Sequence, residues 1–248
     1  MSGHSKWATI RRKKGAIDAK RGKLFTKLIR EIVTAARLGG GDAGANPRLR
    51  LAVEKARGAN MPKDTLSRAI LRGTGGGEDT VFEEVVYEGY GPGGTAVLVT
   101  GLTDNRNRTV SEVRNVFTKA GASLGAPGCV AHLFEKKGLL TFEREALDTD
   151  ALMEAALDAG ADDVRESDPI TVVTAPGSFE AVKAALEQRG FRTLSAEVTL
   201  DPLTTVSLAD AEAEAMLKLS EALEDLDDIQ AVYANFDIPD EVMQRLAS

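Results

Sequence analysis

The feature that most constrains the fold is the glycine-rich segment Gly73-Thr74-Gly75-Gly76-Gly77, where both the periodicity and the charge of the chain change. Before this segment apolar residues recur at helical spacing, and after it strand-like runs alternate with helical ones. Residues 1–78 carry 18 Lys/Arg and 6 Asp/Glu, whereas residues 79–248 carry 13 Lys/Arg and 32 Asp/Glu. The net charge of −7 therefore hides a basic part and an acidic part. We place a flexible linker and a domain boundary between them.

The basic part predicts three helices joined by short connections, which is typical of a small bundle. Residues 17–38 form an amphipathic pattern that ends at a run of three glycines. A second helix is predicted over 47–57, with Asn46 as its N-cap. A third is predicted over 62–72. Residues 1–16 are basic and poor in large apolar side chains, so we expect an arm that a partner orders.

The acidic part alternates strand and helix patterns, and its middle has the strand-helix-strand-strand-helix-strand order of ferredoxin-like domains. The fold class that we predict is α+β multidomain. An N-terminal three-helix domain is followed by two α/β sandwich-like domains, and the ferredoxin-like one is inserted in the other. The expected bounds are 1–78 for the helical domain, 79–136 plus 204–248 for the discontinuous domain and 137–203 for the insertion.

The composition argues against several classes of protein. The single cysteine, Cys129, leaves no intramolecular disulfide and fits a reducing compartment. No apolar run approaches the roughly 18 residues of a transmembrane helix, and the basic N-terminus lacks the apolar core of a secretory signal. We therefore expect a cytoplasmic protein without a membrane partner, and we favour a monomer.

Residues for catalysis or metal binding are scarce, and we predict no enzyme activity, cofactor or metal. The chain has two histidines, His4 and His132, and no recognised catalytic or metal-binding motif. Cys129 and His132 fall on a predicted strand over 128–135, where a spacing of three places them on opposite faces. The acidic run 224–228 lacks the ligand spacing of a calcium loop, so we interpret it as a solvated helix end.

The basic residues of the first helix predict a surface for a polyanion. Projected at about 100° per residue, they form one row opposite the apolar face, and the arm adds further charge beside it. Such a row binds nucleic-acid phosphates with a steep salt dependence, and Trp7 can stack on bases. The predicted contact residues in the arm and the helix are Lys6, Trp7, Arg11, Arg12, Lys13, Lys14, Lys20, Lys23, Lys27, Arg30 and Arg37.

A second candidate patch lies in the polar segment 104–108, between a predicted strand and a predicted helix at 108–120. Asn107 can cap that helix, and its N-terminus with Arg106 and Arg108 can accept a phosphate. An exposed, capped loop without a ligand is the alternative interpretation. The acidic remainder of the chain should repel the same polyanion and so orient the protein on it.

Several motifs occur in the order found in one known family. They are Ser2-Gly3-His4-Ser5-Lys6-Trp7, Lys20-Arg21-Gly22-Lys23-Leu24-Phe25-Thr26-Lys27, Asn46-Pro47-Arg48-Leu49, Ala59-Asn60-Met61-Pro62-Lys63-Asp64, Tyr87-Glu88-Gly89-Tyr90-Gly91-Pro92-Gly93-Gly94 and Thr103-Asp104-Asn105-Arg106-Asn107-Arg108-Thr109. On these residues the chain resembles the YebC/PmpR family over essentially its full length.

The resemblance implies a helical N-terminal domain and two α/β domains around a cleft, in a cytoplasmic bacterial transcriptional regulator that binds DNA. The family also includes a mitochondrial translational activator, and some members are regarded as ribosome-associated factors that help translation of proline-rich stretches. We therefore predict a non-enzymatic regulator of gene expression that binds DNA through its basic N-terminal domain. A ribosome-associated factor that binds ribosomal RNA is the alternative, because a basic row fits either nucleic acid.

Overall fold

The computed structural model describes residues 17–75, 81–145, 147–239, 241, 242 and 245. In this part of the chain the helices α1 to α7 span Ile17–Gly39, Pro47–Gly58, Lys63–Gly73, Arg106–Lys119, Thr149–Asp158, Phe179–Gln188 and Asp210–Glu224. The strands β1 to β10 span Glu83–Tyr90, Ala96–Thr103, Ser123–Leu124, Phe134–Phe142, Asp163–Arg165, Ile170–Thr174, Ser195–Pro202, Val206–Ser207, Ile229–Ala234 and Phe236–Asp237. None of the described helices is long and apolar enough to cross a membrane.

The helical domain is built around α1, which packs against both α2 and α3. Its core includes Ile32, Val33 and Leu49, all of which are almost fully buried. The cap at Asn46 forms as predicted, because its side chain accepts a hydrogen bond from the Leu49 amide at 3.1 Å. Gly73 allows α3 to approach α1 closely, since a Cβ there would lie 2.6 Å from the Val33 carbonyl oxygen.

The second domain is an antiparallel sheet of order β3-β1-β2-β9. Helices α4 and α7 pack against each other beside this sheet. Buried residues from both helices, including Phe117, Met216 and Leu219, form one core with Val97 and Val99 of β2. Strand β9 pairs with β2 although more than 100 residues separate them in the sequence. This pairing brings the C-terminal segment back to the sheet begun by β1 and β2.

The predicted strand over 128–135 is wrong. Residues 131–133 form a short 3₁₀ turn and β4 begins only at Phe134. The buried carboxylate of Glu88 accepts hydrogen bonds from the amides of Gly128, Val130 and Ala131, which occupies the donors that a strand would use. Gly128 also has a positive φ of 85°, which a strand does not tolerate.

The third domain consists of β4, α5, β5, β6, α6 and β7 in that order, and its sheet has the antiparallel order β5-β6-β4-β7. Both helices contribute to one core with the sheet, through residues such as Leu152, Val182 and Leu140. This domain leaves the second domain after β3 and returns before α7. The predicted fold class, with a ferredoxin-like domain inserted in a second α/β domain, is therefore confirmed.

Candidate nucleic-acid interface

Three of the predicted contact residues, Lys23, Lys27 and Arg30, lie on one face of α1, which we call the α1 face. Their spacing of four and three residues places them in one row, as predicted from the sequence. The row faces the rest of the protein, where it meets residues 224–228, which end α7 and lead into β9. We call residues 224–228 the acidic segment. In the structure the α1 face thus contacts acidic groups of its own chain.

The two lysines bind mainly to backbone oxygens at the end of α7. Lys23 Nζ lies 3.1 Å from the Asp225 carbonyl oxygen and 3.5 Å from its carboxylate Oδ1. Lys27 Nζ donates to the Glu224 carbonyl oxygen at 2.5 Å. The carbonyls of a helix C-terminus lack intrahelical partners and carry partial negative charge, so cations are favourable there. Burial lowers the pKa of Lys27, although the neighbouring carboxylates of Glu224, Asp225 and Asp227 act in the opposite direction.

Arg30 reaches further into the interface than the lysines. Its Nη1 donates to the carbonyl oxygens of Asp227 at 2.8 Å and of Leu102 at 3.2 Å, and it forms an ion pair with the Asp228 carboxylate. The guanidinium also lies over the ring of Phe82, 5.4 Å from its centroid. Only 15% of the Arg30 side chain is exposed, so its positive charge is committed to this contact.

The Asp228 carboxylate is the centre of a buried polar network that joins three elements. Its side chain is 2% exposed and accepts hydrogen bonds from Arg108 at 2.7 Å and from Thr109 at 2.5 Å, in addition to Arg30. Thr103 lies 3.2 Å away and completes the group. Burial alone would raise the pKa of Asp228, but the hydrogen bonds from Thr109, Arg108 and Arg30 outweigh it and hold the pKa below its usual value.

The second predicted patch, at the start of α4, also contacts carboxylates. Arg106 Nε lies 3.0 Å from the Glu83 carboxylate. Arg108 bridges Asp228 and Asp104, each at 2.7 Å, and these hydrogen bonds raise its pKa above the ordinary value. The predicted cap at Asn107 is wrong, because the Asn105 side chain accepts from the Arg108 amide and α4 begins at Arg106.

The remaining predicted contact residues lie at the end of α1, at its beginning and in the arm. Arg37 is half-buried in the last turn of α1. The backbone of Lys20 lies in α1, but its side chain is outside the described part of the chain. The arm residues also lie outside it: Lys6, Trp7, Arg11, Arg12, Lys13 and Lys14. For these residues nucleic-acid contact stays a prediction.

A different group of cations surrounds the turn between α2 and α3. Arg21 Nη2 lies 3.5 Å from the carbonyl oxygen of Asn60, and the Asn60 amide donates to the Arg57 carbonyl at 2.9 Å. Lys55 and Arg57 stand in the last turn of α2, and Lys63 begins α3. We call Arg21, Lys55, Arg57 and Lys63 the α2–α3 end. All four side chains are exposed.

The α2–α3 end differs from the α1 face in its partners. Within the described ranges, no carboxylate pairs with Lys55, Arg57 or Lys63, and Arg21 lies over the ring of Phe25. The arm joins the chain at this end, because α1 begins at Ile17 and Arg21 lies one turn later. The sequence shows Arg57 and Lys63 on either side of a turn, but it does not show that α1 starts beside that turn.

Neither Cys129 nor His132, the two described residues considered for catalysis, lies on a strand. Cys129 is half-buried in the loop that Glu88 organises, and His132 is exposed in the following 3₁₀ turn. In the described part of the chain, no group of three or more His, Cys, Asp or Glu side chains is arranged to hold a metal ion.

Both parts of the chain match the models of one protein family. Residues 5–76 match the model of the TACO1/YebC protein N-terminal domain, and residues 82–236 match that of the TACO1/YebC second and third domain. The chain belongs to the TACO1/YebC family. The boundary between the two models falls in the glycine-rich segment and the residues just after it.

Relatives and a solved structure agree with this assignment. The chain is 60% identical to a "Probable transcriptional regulatory protein" of Trichlorobacter lovleyi over 99% of this chain and 100% of the relative. A protein of the same name from Syntrophus aciditrophicus is 57% identical over the full length of both. The crystal structure of a conserved hypothetical protein from Aquifex aeolicus has a TM-score of 0.78 and 50% identity, covering 90% of this chain and 92% of that chain.

Proposed function

We propose that this protein is a non-enzymatic regulator of gene expression that acts in the cytoplasm and binds DNA through its helical domain. The names of the relatives support the regulatory role. The observation that carries the binding is the α2–α3 end, where four exposed cations have no carboxylate partner among the described residues. Exposed, unpaired cations release the counterions condensed on phosphates when they bind, which drives nucleic-acid association.

The charge distribution supports the helical domain as the binding part. Residues 21–75 contain twelve Lys/Arg and four Asp/Glu, against the strongly acidic remainder of the chain. A nucleic acid is therefore attracted to one end of the molecule and repelled by the other. The contacts are to phosphates, and such contacts position a protein without reading sequence. The proposed nucleic-acid contacts also include the arm residues Lys6, Trp7, Arg11, Arg12, Lys13 and Lys14.

The test measures fluorescence anisotropy of a labelled duplex of about 20 base pairs across a salt series. We expect Arg57→Ala/Lys63→Ala to weaken binding about tenfold and to reduce the salt slope by about 1.8, because two phosphate contacts with the duplex are lost. The matched control is Arg114→Ala/Lys119→Ala on α4, which removes two exposed cations from the second domain. An equal loss in both double variants would contradict the proposed surface.

The alternative function, a ribosome-associated translation factor, is distinguished from the proposed one by whether the protein binds ribosomes or the DNA duplex. Co-sedimentation with ribosomes and anisotropy with the duplex are measured on the same protein at about 150 mM salt. Saturable binding to the duplex that depends on Arg57 and Lys63 supports the proposal. Binding to ribosomes, with no saturable binding to the duplex, would contradict DNA as the partner and support ribosomal RNA instead.

A further inference from the structure

We infer that the α1 face is a second nucleic-acid surface, which the acidic segment keeps covered until nucleic acid displaces it. This inference rests on the proposed function, because it requires nucleic acid to bind the helical domain. It concerns Lys23 and Lys27, the outer two residues of the row. They lie within two turns of Arg21 along the helix axis, but a rotation of about 100° per residue places them on the other side of α1. The α1 face is therefore a surface separate from the α2–α3 end.

The acidic segment offers the α1 face the same chemistry as a phosphate backbone. Each lysine ammonium is bound by oxygen atoms, from the Glu224 and Asp225 carbonyls and the Asp225 carboxylate. Two further carboxylates, of Glu224 and Asp227, surround Lys27 closely enough to affect its pKa. A chain of phosphates also supplies oxygen acceptors, and each phosphate carries a negative charge. A nucleic acid and the acidic segment therefore compete for the same ammonium groups.

The outer part of this contact is suited to exchange. The Lys23 and Asp225 side chains are 46% and 63% exposed, so salt and external anions reach the pair directly. Lys27 is desolvated, which lowers its pKa and makes its charged form less favourable in this position. Exposed ion pairs between long side chains contribute little net stability. A polyanion that binds several cations at once can therefore displace the acidic segment from the two lysines.

The inner part of the contact stays closed. Arg30 is bound to Asp228, whose carboxylate is also held by Arg108 and Thr109 in a buried network. Breaking that network would leave a buried charge without its partners, which is much more costly than exchanging an exposed pair. Displacement therefore stops between Lys27 and Arg30, and the helical domain remains attached to the second domain.

The direct test is zero-length carbodiimide crosslinking of the full-length protein, mapped by mass spectrometry. The reagent activates a carboxylate and joins it to a lysine amine in contact with it. Lys23–Asp225 reports the covered state at 3.5 Å, and Lys218–Glu214, on the outer face of α7 at 2.5 Å, is the internal control. Increasing amounts of duplex or single-stranded RNA, both with 5′-hydroxyl ends, are added before the reagent.

We expect the Lys23–Asp225 crosslink to fall at least fivefold at a nucleic-acid concentration that saturates anisotropy, with the Lys218–Glu214 crosslink unchanged. Persistence of the Lys23–Asp225 crosslink at saturation would overturn the inference and leave the proposed function intact. Absence of saturable binding to duplex, RNA and ribosomes would overturn the proposed function itself.

A variant pair tests the same competition through affinity. Asp225→Asn/Asp227→Asn should raise affinity for the duplex about fivefold, because the covering charge is removed. The matched control, Glu154→Gln/Glu180→Gln, neutralises two exposed acidic residues on the third domain. Adding Lys23→Ala/Lys27→Ala should abolish the gain of the first variant. A gain of equal size in the control, or one that survives loss of both lysines, would indicate general repulsion and contradict the inference.

Discussion

Two basic surfaces of the same helical domain have opposite surroundings. The α1 face meets the acidic segment, and its innermost residue, Arg30, is almost buried in an ion pair with Asp228. The α2–α3 end carries the same residue types, but its side chains are exposed and have no carboxylate partner among the described residues. Both surfaces contribute to the positive charge of the N-terminal part. Only one of them is available to an external anion without a change in structure.

The comparison teaches that a basic row on an amphipathic helix has two uses. It can bind a polyanion, or it can attach one domain to an acidic part of the next. The attachment here is completed by Arg48, which bridges Glu31 at 2.7 Å and Glu84 at 2.6 Å. Amphipathic spacing and charge are the same in both uses, so the helix itself carries no sign of which one applies.

The largest expected effect is a loss of stability when the ion pairs at the centre of the attachment are removed. Asp228→Asn removes a 2% exposed carboxylate and leaves Arg30 and Arg108 without their shared counter-charge. We expect the free energy of unfolding to fall by about 3 kcal/mol, measured by urea denaturation. Asp104→Asn is the matched control, because Asp104 also pairs with Arg108 but is 41% exposed. The control should cost less than about 1 kcal/mol.

An intermediate effect on stability is expected when one arginine from each surface is replaced by alanine. Arg30→Ala loses hydrogen bonds to Asp228, Asp227 and Leu102, so we expect a loss of about 2 kcal/mol in unfolding free energy. Arg57→Ala removes an exposed side chain and should change that free energy by less than about 0.5 kcal/mol. Equal losses of stability in the two variants would erase the distinction between the surfaces.

The smallest effect is a difference in pH dependence. The pKa of Asp228 is lower in the folded protein than in an unfolded chain, so its carboxylate stabilises the fold above the unfolded pKa of about 4. That stabilisation is lost as the pH falls through the lower, folded pKa. The stability of the wild type should therefore decrease more steeply in acid than that of Asp228→Asn. Parallel denaturation curves between neutral and acidic pH would contradict this role of Asp228.

Local signals in the sequence predicted most of the elements. The three N-terminal helices, the cap at Asn46 and the ferredoxin-like order all follow from periodicity and turn residues near the element concerned. The errors arise where a distant residue decides the local conformation. The loop at 128–131 is set by the Glu88 carboxylate, which is forty residues away, and no local pattern reveals that contact.

The candidate interface was only partly accessible from the sequence. The row of Lys23, Lys27 and Arg30 was predicted correctly as one helical face, since the geometry of a helix requires it. Its partner was not, because the acidic segment lies about 200 residues away. The α2–α3 end was missed as a surface, since Arg21 and the Asn60 turn meet only when α1 packs beside α2 and α3.

The sequence by itself determined the division into a basic helical domain and an acidic α/β remainder, because charge and hydrophobic period are local properties of the chain. Tertiary structure alone decided which cations remain exposed. Folding brings the end of α7 against α1, and opposite charges that meet at a partly desolvated interface bind each other instead of water or an external partner. The balance between those two outcomes depends on distances that no sequence pattern contains.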